Sequence, residues 1–187
     1  MQNPRLASRY AKSLIDLAME QNTLEPTLQD VQLIDATIRS SRELSIMLNS
    51  PVIKADKKVG VINAVFGSRL SPLTHSFVKL LTEKGREASL AEITTAFISQ
   101  YKEMKQISTV KLITAAPVSE QVKESIRQKV AASMPGRTVE MSTEVRQELI
   151  GGFVLEMGDR LVDASVRRDL ADIRKQFMKN LYVQSIR

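Results

Sequence analysis

The sequence predicts a mainly α fold, a six-helix N-terminal bundle followed by a small α+β domain of order β-α-β-β-β-α. Three observations carry this reading. Apolar residues recur at three- and four-residue intervals through the N-terminal half, which is the period of a helix with one buried face. Beyond Lys105-Gln106 the pattern changes to short alternating segments, the period of a strand. Hydrophobic residues make up 43% of the chain but aromatics only 4%, with no tryptophan, so the cores must be built from Leu, Ile, Val, Ala and eight Met. That composition suits helix packing better than a β-sandwich. A helical half followed by a mixed half reads as two domains, 1–105 and 106–187.

The helices follow in order. Leu6, Tyr10, Leu14 and Leu17 form the first stripe, widened by Ala7, Ala11, Ile15 and Ala18, with Pro4 suited to a first turn. The opening residues Arg5, Ser8, Arg9, Lys12 and Ser13 imitate a transit peptide in composition. Their apolar period continues unbroken past Asp16, which favours an ordinary amphipathic helix. Leu24, Leu28, Val31, Ile34 and Ile38 mark the second helix. Leu44 to Leu48 is a short third one, stopped at Asn49-Ser-Pro51 because proline disfavours helical geometry in the residue before it. Ala55, Val59, Ile62, Val65 and Phe66 mark the fourth, ending near Gly67. Ser71-Pro72 is a cap followed by a first-turn proline and opens the fifth, with Leu73, Phe77, Leu80 and Leu81, ending at Gly85. The sixth carries Leu90, Ile93, Phe97, Tyr101 and Met104. The first and fifth helices are apolar over more than half their circumference, so a bundle this small leaves part of each stripe exposed.

In the second half, Val110 to Ala115 reads as a strand. Pro117-Val-Ser119 starts a helix with Val122, Ile126 and Val130 that Pro135-Gly136 ends. Thr138 to Thr143 alternates, with Val139 and Met141 on one face. Phe153, Leu155 and Met157 then alternate, Gly158-Asp159 is a two-residue hairpin loop, and Leu161 to Ala164 returns. Ser165 can cap a final helix with Val166, Leu170, Ile173, Phe177 and Leu181, and Asp169 places negative charge in its first turn.

Little in the chain resembles catalytic chemistry. With no cysteine there are no disulfides, thiolate sites or cysteine nucleophiles. The one histidine, His75, lies beside Leu73 and Phe77 and has no second His or Cys with which to share a metal. No G-x-x-x-x-G-K-[ST] cradle and no G-x-S-x-G elbow is present, and Gly151-Gly152 precedes a strand instead of joining a strand to a helix. The carboxylate pairs Glu120/Glu124 and Asp169/Asp172 have helix-surface spacing and basic neighbours. No enzyme and no cofactor is expected.

The net charge of +6 divides evenly: residues 1–105 carry 14 basic and 11 acidic side chains, residues 106–187 carry 13 and 10, so each half is +3. Signs are interleaved, which reads as a solvated surface and not a nucleic-acid patch. The densest basic clusters, Lys54/Lys57/Lys58 and Arg167/Arg168, have no aromatic residues interleaved. No apolar run is long enough to span a bilayer.

Five segments in order resemble one family: Arg9-Tyr-Ala-Lys-Ser-Leu14, Asn49-Ser-Pro-Val-Ile53 with Lys57, Leu80-Leu-Thr-Glu-Lys-Gly-Arg86, Thr114-Ala-Ala-Pro-Val-Ser-Glu120, and the block from Ile150-Gly-Gly-Phe to Arg168-Asp-Leu170. The chain is similar to the delta subunit of F-type ATP synthases, whose mitochondrial member is the oligomycin-sensitivity-conferring protein. The resemblance implies a non-catalytic connector that ties the catalytic head to the peripheral stalk and resists rotor torque. It implies that the helical domain takes an amphipathic N-terminal helix of an α subunit in a groove between the first and fifth helices, where Tyr10, Leu14 and Leu17 face Phe77, Leu80 and Lys84. For Leu14 and Phe77 a core role is an equal expectation. It implies that the second domain meets the C-terminal region of a b subunit, with Phe153, Leu161, Val166 and Leu170 as the residues assigned. A monomer within a hetero-oligomer follows, peripheral on the cytoplasmic side of the cell membrane, touching the membrane only through the complex and binding no nucleic acid. The alternative is a helical RNA-binding factor of the transcription-antitermination kind, which needs a basic face and has no use for the Gly-Gly hairpin.

Overall fold

Alanine decides how the first helix packs. The computed structural model describes residues 4–67, 69–134 and 136–179. In it α1 (Pro4–Glu20) buries Ala7, Ala11, Leu14, Ile15 and Ala18, while Leu17 is left 42% exposed. Three of the five buried positions are alanines, which let a neighbouring helix approach closely. That neighbour is α6 (Leu90–Met104), tied to α1 by Gln100 Nε2, which donates to Ser8 O and Ser8 Oγ at 3.0 Å each.

Between them run α2 (Leu24–Ser40), α3 (Arg42–Asn49), α4 (Ala55–Phe66) and α5 (Pro72–Glu83). Their shared core gathers Ala7, Ile34, Ile38, Leu44, Leu48, Ile62, Phe66, Val78, Leu81, Leu90 and Ile93. The predicted stripe of α5 is rotated relative to the observed one. Thr74, Val78, Leu81 and Thr82 face inward, whereas Leu80 is 45% exposed. Val65 and Met104, expected on inner faces, are also on the surface.

Joints follow local chemistry. Ser41 Oγ accepts from Leu44 N at 3.2 Å and caps α3. Ser71 does not cap α5 with its side chain. Its hydroxyl instead donates to Asp30 Oδ2 at 2.6 Å, and its N–H donates to the same oxygen at 2.9 Å. A carboxylate from α2 thereby satisfies the start of α5 and adds favourable charge near that end. Gly85, at φ +66°, ends α5 in the left-handed conformation, with Arg86 N donating to Leu81 O at 2.8 Å.

The chain divides into two compact units, Met1–Met104 and Lys105–Arg187. The second contains β1 (Ile107–Thr114), α7 (Glu120–Ser133), β2 (Thr138–Val145), β3 (Gly152–Met157), β4 (Arg160–Ser165) and α8 (Val166–Lys179). The sheet order is β2-β1-β3-β4. β1 and β2 are parallel, with Val110 opposite Met141, and α7 makes the crossover that a parallel pair requires. β3 runs antiparallel to both β1 and β4, pairing Leu112 with Leu155 and Leu155 with Val162. One sheet face, with Val110, Leu112, Val139 and Leu155, packs with Val130 of α7 and half-buried Ile126, Met141, Phe153 and Met157. On the other face Ile113 and Val154 pack with Leu149, from a short 3-10 turn. Ser165 Oγ accepts from Arg168 N at 3.2 Å, the cap expected for the last helix. Leu181 and Pro135, assigned from the sequence to the last helix and to the end of α7, lie outside the described residues.

Candidate functional site

The first and fifth helices meet through aromatic side chains. Tyr10 and Phe77 pack edge to face, ring centroids 6.4 Å apart at an interplanar angle of 68°. Both rings are half-buried. On α1 the residues outward of the alanine face are Leu6, Tyr10 and Leu17; on α5 the residues outward of Thr74, Val78 and Leu81 are Leu73, Phe77 and Leu80. Each set is spaced to occupy one side of its helix. Two half-exposed apolar stripes therefore flank the Tyr10–Phe77 contact, with Lys84 exposed just past the end of α5.

The walls are held from behind. α1 is fixed to α6 by Gln100 and Ser8, and the start of α5 to α2 by Asp30 and Ser71. His75 Nε2 lies 2.9 Å from Asn63 Oδ1 and links α5 to α4. The α4 side is clamped by Lys58, 2% exposed, whose Nζ donates to Leu48 O at 2.9 Å and to Glu87 Oε1 at 2.6 Å. Periodicity places Lys58 in a solvated basic cluster; the fold buries it and satisfies it with the end of α3 and a carboxylate 29 residues away.

Of the six groove residues implied by the resemblance, the structure brings Tyr10 and Phe77 into contact and exposes Leu17, Leu80 and Lys84. For Leu14 the burial matches the core role held as an equal expectation: it is 1% exposed and lines a small interior crevice with Val31, Thr74, Phe77 and Phe97, so it packs inside the bundle instead of presenting surface. The reason is the alanine face, which turns Leu14 inward with it.

The four residues assigned in the second unit do not form one surface. Phe153 packs on the sheet face covered by α7. Leu161 pairs with Glu156 at the start of β4 and so points to the opposite face from Phe153. Val166 and Leu170 share α8, where Ile173 and Phe177 continue the same exposed stripe. Sequence reasoning assigned Ile173 and Phe177 to the helix period but not to a site; their spacing was legible, their lack of cover was not.

Electrostatics in the second unit is of the surface kind. Glu124 pairs with Arg127, and Glu120 with Lys123. Glu144 is held down to about 2 by hydrogen bonds from Arg146 and then Lys111. Among the described residues no group of three or more His, Asp or Glu lies together to hold a metal ion, and no helix is long and apolar enough to cross a membrane.

The first unit is a helical bundle with partly open apolar stripes on α1 and α5, and the second is a small mixed sheet with two helices, an arrangement without catalytic or metal-binding groups among the described residues. Comparison with known proteins gives the family. Residues 6–177 match the family model described as the ATP synthase delta (OSCP) subunit. The ATP synthase subunit delta of Cytophaga hutchinsonii is 34% identical over 181 residues, covering 97% of this chain and 98% of that protein. That of Christiangramia forsetii is 32% identical over 186 residues, covering 100% of both chains. A chain in the cryo-EM structure of the Toxoplasma gondii mitochondrial ATP synthase hexamer shares the fold, with a TM-score of 0.72 and 22% identity over 94% of this chain and 99% of that one. The chain belongs to the ATP synthase delta (OSCP) family and is a non-catalytic subunit of that enzyme. Nothing in these comparisons favours the RNA-binding alternative.

Proposed function

We propose that this chain is the connector at the top of the peripheral stalk. Its helical unit caps the catalytic head by seating the amphipathic N-terminal helix of an α subunit between α1 and α5. Its second unit joins the C-terminal region of the b subunits, and the tie resists the torque of the rotor. The subunit sits on the cytoplasmic side of the cell membrane, one monomer within a hetero-oligomer, and reaches the membrane only through the complex.

The observation that supports this reading best is the Tyr10–Phe77 contact between two apolar stripes that the bundle leaves uncovered. An incoming helix would lay its own apolar face on Leu17, Leu80 and the two rings, the mode in which spaced side-chain anchors give the affinity. Lys84 at the rim would offer a cation to a carboxylate on that helix. No step of chemistry is asked of the chain; its task is to keep two attachments in place at once.

Reconstitution tests it. Membranes whose ATP synthase has been stripped of this subunit should lose proton-driven ATP synthesis and regain it on adding back the full chain. Restoration by a Tyr10→Ala/Leu80→Ala chain should require a higher concentration. Full synthesis in the stripped membranes without added chain would overturn the proposal.

A further inference from the structure

α5 buries threonines and leaves larger apolar side chains nearer solvent. Thr74, Val78, Leu81 and Thr82 are buried, while Leu80 is 45% exposed and Leu73 and Phe77 are half-buried. Thr74, Val78 and Leu81 follow Leu73, Phe77 and Leu80 by one position each, so the helix stands turned by roughly 100° from the setting those apolar residues favour. Apolar burial alone would turn it back, taking Leu80 into the core and Thr82 towards solvent. Another interaction must hold the observed rotation.

The two buried hydroxyls differ in their partners. Thr82 Oγ1 donates to Val78 O at 2.9 Å within its own helix, a bond that survives any rotation. Thr74 Oγ1 lies 3.1 Å from Ser71 Oγ. Ser71 gives its hydroxyl and its N–H to Asp30 Oδ2, at 2.6 and 2.9 Å. With the Ser71 proton committed to the carboxylate, Thr74 is the donor to Ser71. Asp30 is 8% exposed and belongs to α2, so the chain of bonds is anchored outside α5. A serine at the N-cap ordinarily accepts from the first turn of its own helix; here that side-chain bond is not made. A hydrogen bond to a carboxylate sheltered from water is among the stronger ones. The other side-chain tie of α5, His75 to Asn63, is exposed and competes with water.

We infer that Asp30 is a positioning residue for the docking surface. Its carboxylate keeps Ser71, and through it Thr74, on the inner side of α5, and that rotation leaves Phe77 and Leu80 outward for a partner helix. The inference rests on the reading that α1 and α5 take an α-subunit helix, and names the residue that sets out their surface.

The chain has no cysteine, so a single introduced thiol reports which side of α5 meets solvent. Leu80→Cys and Thr82→Cys are each made with and without Asp30→Ala, and labelling rates are read on chains that circular dichroism shows to be folded. With Asp30 present, the reporter at 80 should label fast and the one at 82 slowly, since reactivity follows exposure. Asp30→Ala should slow the first and speed the second, each by about tenfold or more, because a buried site reacts only through opening. Adding Thr74→Val, which makes the inner face apolar, should restore the original pattern. Asp30→Asn, which keeps an acceptor, should preserve it. In the cysteine-free chain Asp30→Ala should weaken binding of an α-subunit N-terminal peptide by about tenfold or more, through loss of a preorganised surface. A lower melting temperature with labelling unchanged would make Asp30 structural only and overturn the inference. Should Asp30→Ala not fold, Ser71→Ala, which keeps the bond from the backbone N–H, is read the same way, and unchanged labelling at both positions again overturns it. If the wild-type chain does not bind the peptide, the reading of the surface fails and takes the docking role of Asp30 with it; wild-type binding beside unchanged labelling sinks the inference alone.

Discussion

Tyr10 and Phe77, 67 residues apart in sequence, join the first and fifth helices through an edge-to-face ring contact with centroids 6.4 Å apart. The contact separates two kinds of neighbour. Leu80 stands above it in solvent, and Leu14 lies below it in the core. Leu80→Ala should therefore change stability by less than about 0.5 kcal/mol, as for other exposed positions. It should weaken binding of an α-subunit N-terminal peptide by about tenfold to a hundredfold, the worth of roughly 1.5–3 kcal/mol for a buried Leu side chain. Leu14→Ala should instead destabilise the bundle by about 2–5 kcal/mol. Thermal denaturation and peptide titration of both variants check the pair; equal effects on both readouts would remove the distinction between wall and core.

Lys58 and Glu87 form a pair that cannot be broken from one side cheaply. Lys58 also satisfies Leu48 O, and Glu87 Oε2 is buried without a hydrogen-bond partner. Lys58→Ala should destabilise the helical unit by about 3–5 kcal/mol, because it strands a buried carboxylate. Replacing both residues with apolar side chains, as in Lys58→Met/Glu87→Leu, should recover most of that loss. Urea denaturation of the single and double variants measures the coupling.

Gly152 and Gly85 share a left-handed backbone and differ in what surrounds them. A Cβ at Gly152 would stand 2.1 Å from Ala164 O, on the facing strand; a Cβ at Gly85 meets nothing within 4 Å. Gly85→Ala should lose only the conformational strain, about 1–2 kcal/mol. Gly152→Ala adds an overpacking penalty of about 1–3 kcal/mol and should open the β3–β4 pairing. Amide hydrogen exchange of Leu155 and Val162 should accelerate in the Gly152 variant and not in the Gly85 variant.

Acid should loosen the sheet before neutral pH changes matter. Glu144 is depressed from 4.5 to about 2 by Arg146, just past the end of its own strand, and Lys111, on the neighbouring β1. A carboxylate whose folded pKa is lowered adds stability above its unfolded pKa and loses it as pH falls through the folded one. Between about pH 4.5 and 2 the second unit should thus lose stability. Glu144→Gln should flatten that part of the profile, followed by chemical denaturation at fixed pH steps.

The elements of this chain are legible from its sequence because their causes are local. Helix periods, the Ser165 cap, the Gly158-Asp159 turn and the alternation of Phe153, Leu155 and Met157 all depend on residues within a turn or a hairpin of one another. So does the division into a helical and a mixed half. The tertiary structure decided what each apolar stripe touches. Sequence marks α1 and α5 as over-wide, but only the close approach of α6 to the alanine face turns Leu14 inward and leaves Leu17 out. Lys58 reads as a surface charge until Leu48 and Glu87, from two other elements, converge on its ammonium group. The stripe of α8 has the same period as a core helix, and only the absence of a covering element among the described residues separates it from one. Periodicity reports the direction in which a helix is apolar; whether that side meets its own chain or a partner depends on elements distant in sequence.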